Sequence, residues 1–148
     1  FYRGTSEGMT NLAAAKRSSA ATAQTNIAEQ VKNTVRVEFS QAMEAGAYEE
    51  TSGEYLKNSF FSSVDNLTVS GVRITSSFVQ RVAETTSSGE RIYYRAYTLA
   101  SLDKEDYKKL VQRAFSDTSA QVSANKSAKE IAAETEKRFW EAEAKKAE

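Results

Sequence analysis

Residues 72–102 constrain this chain most. They hold its densest β-branched and aromatic content, in two runs, 72–82 and 91–102, separated by a polar connection that includes Gly89. Two such runs joined by turn residues predict an antiparallel hairpin. Pairing Val82 with Ile92 gathers Val72, Ile74, Ser76, Phe78 and Val82 on one face with Ile92, Tyr94, Ala96, Thr98, Ala100 and Leu102. The centre of that face is small, which lets a helix backbone come close, so helix on sheet is the expected packing. The opposite face then carries Arg73, Thr75, Ser77, Val79 and Arg81 against Tyr93, Arg95, Tyr97, Leu99 and Ser101, a mixture of charge and ring that reads as an interface.

Upstream, a short strand at Phe1-Tyr2-Arg3 leads into Gly4 and Gly8, which read as a turn reversing the chain into a helix. No Gly-Lys-Ser/Thr follows, so a phosphate loop is not indicated. From Thr10 the apolar positions Leu12, Ala20, Ala23, Ile27, Val31, Val35, Phe39 and Met43 fall at helical spacing. This predicts a helix over 10–44, with Thr10 as its N-cap and Gly46 as its stop. Residues 13–23 are nearly all small, which marks this as the helix that crosses the sheet. A solvated connection over 47–53, with Glu49 and Glu50, precedes a short amphipathic helix over 54–66 whose stripe is Tyr55, Leu56, Phe60, Phe61 and Val64. Asp103 and Asp106 are placed to cap a last helix over 103–146.

The fold class that follows is α+β: an antiparallel hairpin and a short N-terminal strand, covered on one face by helices 10–44 and 54–66. The long C-terminal helix is apolar on one side to about Val122. Beyond it Lys and Glu dominate, and Glu134 with Arg138 and Glu141 with Lys145 are i,i+4 pairs suited to a solvated helix. Residues 1–122 therefore read as a compact domain and 123–148 as a charged extension, on which Phe139 and Trp140 stand out as anchors for a partner or a second copy.

Composition narrows the chemistry. Of 148 residues, 20 are Lys or Arg and 20 are Asp or Glu, so no net field steers the chain towards nucleic acid or anionic lipid. It has no cysteine and no histidine, hence no thiolate nucleophile, no disulfide framework and neither of the commonest zinc ligands. Lys16 near Ser18 and Ser19 is a conceivable Ser–Lys arrangement, but no oxyanion-hole motif accompanies it. The expectation is a protein that is not an enzyme and holds no cofactor or metal. The first residue, Phe1, is not a methionine, so the chain reads as a piece whose native start lies upstream.

Several strings carry a family resemblance: Phe1-Tyr-Arg-Gly4, the helix through Ala20-Ala21-Thr22-Ala23 and Asn26-Ile27-Ala28-Glu29-Gln30-Val31, the segment Val69-Ser-Gly-Val-Arg-Ile-Thr75, and Tyr93-Tyr94-Arg-Ala96-Tyr97-Thr-Leu99-Ala-Ser-Leu102-Asp103-Lys104 before a helix. Over roughly residues 1–110 they resemble the bacterial envelope lipoproteins of the "Lpp twenty" antigen type and the related N-terminal domain of the flagellar H-ring protein T. The resemblance implies an exported, periplasmic domain held to the membrane by an upstream lipid anchor, with no established catalysis. The expected function is protein–protein contact, including self-association, through Arg73, Arg81, Tyr93, Arg95, Tyr97, Phe139 and Trp140. The alternative is a binding module whose Arg/Tyr sheet face grips nucleic acid or an acidic glycan.

Overall fold

The computed structural model describes the whole chain, Phe1–Glu148. Its elements are β1 (Tyr2–Met9), α1 (Leu12–Glu44), α2 (Glu50–Asn66), β2 (Arg73–Thr86), β3 (Gly89–Ser101), α3 (Lys104–Gln121) and α4 (Lys126–Lys146). The expected α+β class is the class found, a three-stranded antiparallel sheet in the order β1-β3-β2 with helices. The elements divide into two compact units: Phe1–Gln30 with Val69–Asp106, and Val31–Thr68 with Tyr107–Glu148. This division replaces the expected boundary at residue 122, because α1 gives its first part to one unit and its second part to the other. The helix expected over 54–66 belongs to the second unit.

In the first unit, the opening turns of α1 cross β1 and β3 at very close range. Ala15, Ser19, Ala23 and Ile27, four apart and therefore on one helical face, are all buried. Opposite them the sheet offers buried Gly4, Ser6, Ala96, Thr98 and Ala100. The helix and sheet backbones come near enough for direct polar contact: Ser6 Oγ donates to the Ala15 carbonyl at 2.8 Å, Asn26 Nδ2 donates to the Arg3 carbonyl at 2.9 Å, and the Ser19 and Thr98 hydroxyls are 2.7 Å apart. Gly4 is thus not a turn glycine. It lies inside β1, paired with Thr98, where a Cβ would overlap the Ser19 carbonyl and the Ala23 backbone. Gly8, at φ 71°, falls in the irregularity between Ser6 and Met9. The cap of α1 is Asn11 rather than Thr10, since Asn11 Oδ1 accepts from the Ala14 N–H at 3.1 Å.

The hairpin is longer and tighter than its apolar content suggests. Its turn is only Ser87-Ser88, with Thr86 paired to Gly89 and Thr86 Oγ1 donating to the Gly89 carbonyl at 2.7 Å. Val82 consequently pairs with Tyr93, not Ile92. A second irregularity lies between Ile74 and Ser76, where the extra residue, Thr75, donates its hydroxyl to the Leu99 carbonyl at 3.1 Å. Before this bulge Ile74 shares the helix side with Ala100; after it the sides exchange. Ser77, Val79 and Arg81 face the helix side with Thr98, Ala96 and Tyr94, while Ser76, Phe78 and Val82 join Leu99, Tyr97 and Tyr93 on the other face.

In the second unit the core is aromatic. Phe39 and Phe60 stack at 3.7 Å between centroids, Phe115 lies against both at 5.8 and 5.0 Å, and Phe139 meets Phe115 edge-on at 5.4 Å. These rings come from α1, α2, α3 and α4 in turn. The first was legible from the run Val31, Val35, Phe39, Met43, all buried at intervals of four. The second helix starts earlier than expected, at Glu50, with Ser52 and Gly53 already buried. The single helix expected over 103–146 is two: it stops at Gln121, and Asn125 starts α4 by accepting the Ala128 N–H at 3.1 Å. Ala128, Ile131, Ala132, Thr135 and Phe139 of α4 are buried, so residues beyond 123 are part of a packed core rather than an extension.

Glu38 joins three helices of this unit. One of its carboxylate oxygens accepts the Tyr107 hydroxyl at 2.7 Å and the other accepts Lys146 Nζ at 2.5 Å, while Lys146 also reaches Glu143 at 2.9 Å. Burial, followed by the hydrogen bond to Glu38, pushes the Tyr107 phenol far above its ordinary value of 10.0. The bonds to Glu38 and Glu143 raise Lys146 as well.

A group raised on folding stabilises fully below its unfolded value and loses that contribution as pH climbs towards the folded one. Unfolding free energy should therefore be level through neutral pH and fall above about pH 10, with Tyr107→Phe flattening that alkaline decline; urea titrations at stepped pH would show it. Gly4→Ala should lower stability by about 1–3 kcal/mol, because the added methyl must part helix from sheet. A urea midpoint unchanged in Gly4→Ala would mean that α1 does not lie so close.

Candidate protein-contact face

The face of the sheet turned away from α1 is covered by no other element of the first unit. Its middle strand, β3, presents Arg91, Tyr93, Arg95, Tyr97 and Leu99 at alternate positions, with β2 contributing Phe78 and Val82 and β1 contributing Arg3, Thr5 and Glu7. Phe78 is 63% exposed although it is a large apolar ring. It leans on Tyr97, its cross-strand partner, with centroids 6.2 Å apart.

Beside this aromatic pair runs a charged column. The Tyr93 ring has the Arg91 guanidinium at 5.7 Å and the Arg95 guanidinium at 5.6 Å, and Arg95 also donates to the Tyr93 hydroxyl at 3.3 Å. Glu7 lies 3.8 Å from Arg95 Nε. Arg95 thus stands between the Tyr93 ring and the Glu7 carboxylate, with its Nε making no hydrogen bond. The face is thus half apolar and half ionic, with both signs of charge.

Of the residues expected to bind a partner, the structure brings Tyr93, Arg95 and Tyr97 together here, and Arg73 at the end of β2, where it pairs with Asp103 at 3.1 Å. Arg81 is not with them: the bulge turns it to the helix side, opposite Tyr94. Phe139 is a correction. It is 1% exposed in the aromatic core of the second unit, and so is not an anchor for a partner. Trp140 is half-buried on α4, edge-on to Phe139 at 5.2 Å, with its indole N–H 3.5 Å from Glu136. Sequence reasoning placed Phe78 in the core and so missed it. The signal that could have found it is the Thr75-Ser76-Ser77 run, three small polar residues where a buried strand would hold apolar ones, which suits a bulge and an exchange of sides.

No helix of the chain is long and apolar enough to cross a membrane. Compared with known proteins, the chain matches no family model, no curated protein and no solved structure.

An exposed side chain contributes little to folding and a core one much. At chain concentrations low enough that association adds nothing, Phe78→Ser should leave unfolding free energy within about 0.5 kcal/mol of the parent. By contrast, Phe139→Ala should cost about 3–5 kcal/mol. Denaturant curves of the two variants would reverse in rank if Phe78 were a core residue.

Proposed function

We propose that this chain is a non-enzymatic domain of the bacterial cell envelope that acts by binding protein, and that the partner on its open sheet face is a second copy of itself. The observation that carries the reading is Phe78, a ring left 63% exposed against Tyr97 in the middle of a sheet face. A contiguous apolar surface bordered by polar groups is more often covered than left in water.

Charge favours a second copy as the cover. The chain has no net charge, and the face carries Arg3, Arg91 and Arg95 together with Glu7 and Glu84. Two such faces brought together can therefore match opposite signs around an aromatic centre without a general repulsion. The envelope setting and the lipid anchor upstream rest on the resemblance to the "Lpp twenty" lipoproteins. The alternative, a binder of nucleic acid or acidic glycan, is less well supported: the Tyr93 ring is already attended by two guanidiniums, and Glu7 sits beside Arg95.

Light scattering on the full chain tests the reading. The parent should have twice the mass of one chain, and Phe78→Ser, which leaves folding intact, should have the mass of one. A parent that stays monomeric at high concentration, or a Phe78→Ser variant that remains dimeric, would overturn it.

A further inference from the structure

The turn of Arg81 to the helix side has a consequence for binding. Since α1 lies over β1 and β3, the helix side of β2 is left uncovered, and a groove of about 380 Å³ runs between the first turns of α1 and that strand. Its floor is Ser77, Val79, Arg81 and Tyr94, and its wall is Leu12 and Lys16, one helical turn apart.

The chemistry of this lining is one-sided. Two cations and two hydroxyls border the groove, and no carboxylate does. None of the four side-chain polar groups has a hydrogen-bond or ion-pair partner within the protein. Two cavities of the second unit hold both signs of charge. A cavity of the second unit sets Lys57 beside Glu44 and Glu54, and another sets Lys146 beside Glu38 and Glu143. A chain with equal numbers of both signs that leaves Lys16 and Arg81 without a counter-charge across one groove has a place for an anion brought from outside.

We propose that this groove binds a small organic phosphate, a phosphoryl group attached to a compact apolar body. The phosphoryl oxygens outnumber those of a carboxylate and can use all four donors: the guanidinium of Arg81 through paired N–H groups, the Lys16 ammonium as a point charge, and the Ser77 and Tyr94 hydroxyls as neutral donors. The apolar body rests on Leu12, which is 40% exposed, and on Val79. A volume of this size takes a ligand no larger than a substituted ring or a short acyl chain. The site is independent of the open sheet face, so self-association and ligand binding are separate properties.

Calorimetric titration of the full chain with phenyl phosphate at low salt tests the site. Lys16 and Arg81 are exposed, so Lys16→Gln and Arg81→Gln should fold, as far-ultraviolet circular dichroism would verify. Each should weaken phenyl phosphate binding by about tenfold or more, the loss of one charge-assisted contact, and Arg81→Lys should recover part of it. Inorganic phosphate should bind more weakly than phenyl phosphate, and phenyl phosphate should bind more tightly than benzoate.

Sedimentation with vesicles containing phosphatidic acid names the source. Sedimentation lost in the Arg81→Gln variant supports the site and assigns it to a lipid headgroup; phenyl phosphate binding without sedimentation supports the site and assigns it to a soluble ester. No phenyl phosphate binding at millimolar concentration overturns the proposal, as does binding that neither Gln variant weakens. A Glu-rich peptide that binds where phenyl phosphate does not would also overturn it.

Discussion

The close approach of α1 to the strands beneath it is the constraint on which the first unit depends. With Gly4 opposite Ser19 and Ala23, and the Ser19 and Thr98 hydroxyls 2.7 Å apart, almost no side chain separates helix from sheet. Contact this close forfeits the large apolar burial that Leu or Phe would bring, and polar bonds from Ser6, Ser19 and Asn26 offset part of that loss. It also fixes where the helix lies. By following β1 and β3, α1 leaves the helix side of β2 and the reverse face of the sheet uncovered by any other element of the first unit, and those are the two surfaces to which binding is assigned.

Much of this is legible in the sequence. The alanine and serine run of α1, and the small residues Ala96, Thr98 and Ala100 of β3, announce a helix packed closely on a strand. The sides of β2 are not legible in the same way. Alternation in a strand is a parity, and parity is lost at every bulge or mistaken turn. Here Thr75 is the bulge, and a turn of two serines takes the place of an eight-residue loop. Past Val82 the strand continues through Glu84, Thr85 and Thr86; the two threonines have the β propensity to extend it, but none of the three has the apolar character by which its length is judged. Reading the parity straight through therefore exchanges Phe78 with Val79 and puts Arg81 on the wrong side.

The second unit shows the opposite balance. Its aromatic cluster draws one ring from each of four helices, and a residue such as Phe139, amid Lys and Glu, gives no local sign that three other rings await it. Ala128, Ile131, Ala132, Thr135 and Phe139 do recur at helical spacing, yet two of them are alanine and one is threonine, so the buried stripe is weak in hydropathy although complete in burial. The turn between α3 and α4 at Val122–Asn125 is likewise quiet: no Gly or Pro marks it, and the cap is a single asparagine. Glu38, by contrast, is a surface-type residue given a structural task, since it holds Tyr107 of α3 and Lys146 of α4 to α1.

The two proposed surfaces lie on opposite sides of the sheet, so joining copies through the aromatic face would not obstruct a ligand in the cationic groove. In the proposed dimer, two copies meet through the open face. The chain has no cysteine, so Gln80→Cys, beside Phe78 on that face, provides a single site for a spin label. Pulsed dipolar spectroscopy on the labelled chain should show coupling between two labels that disappears on dilution with unlabelled protein. A labelled dimer with no such coupling would contradict a dimer joined through that face.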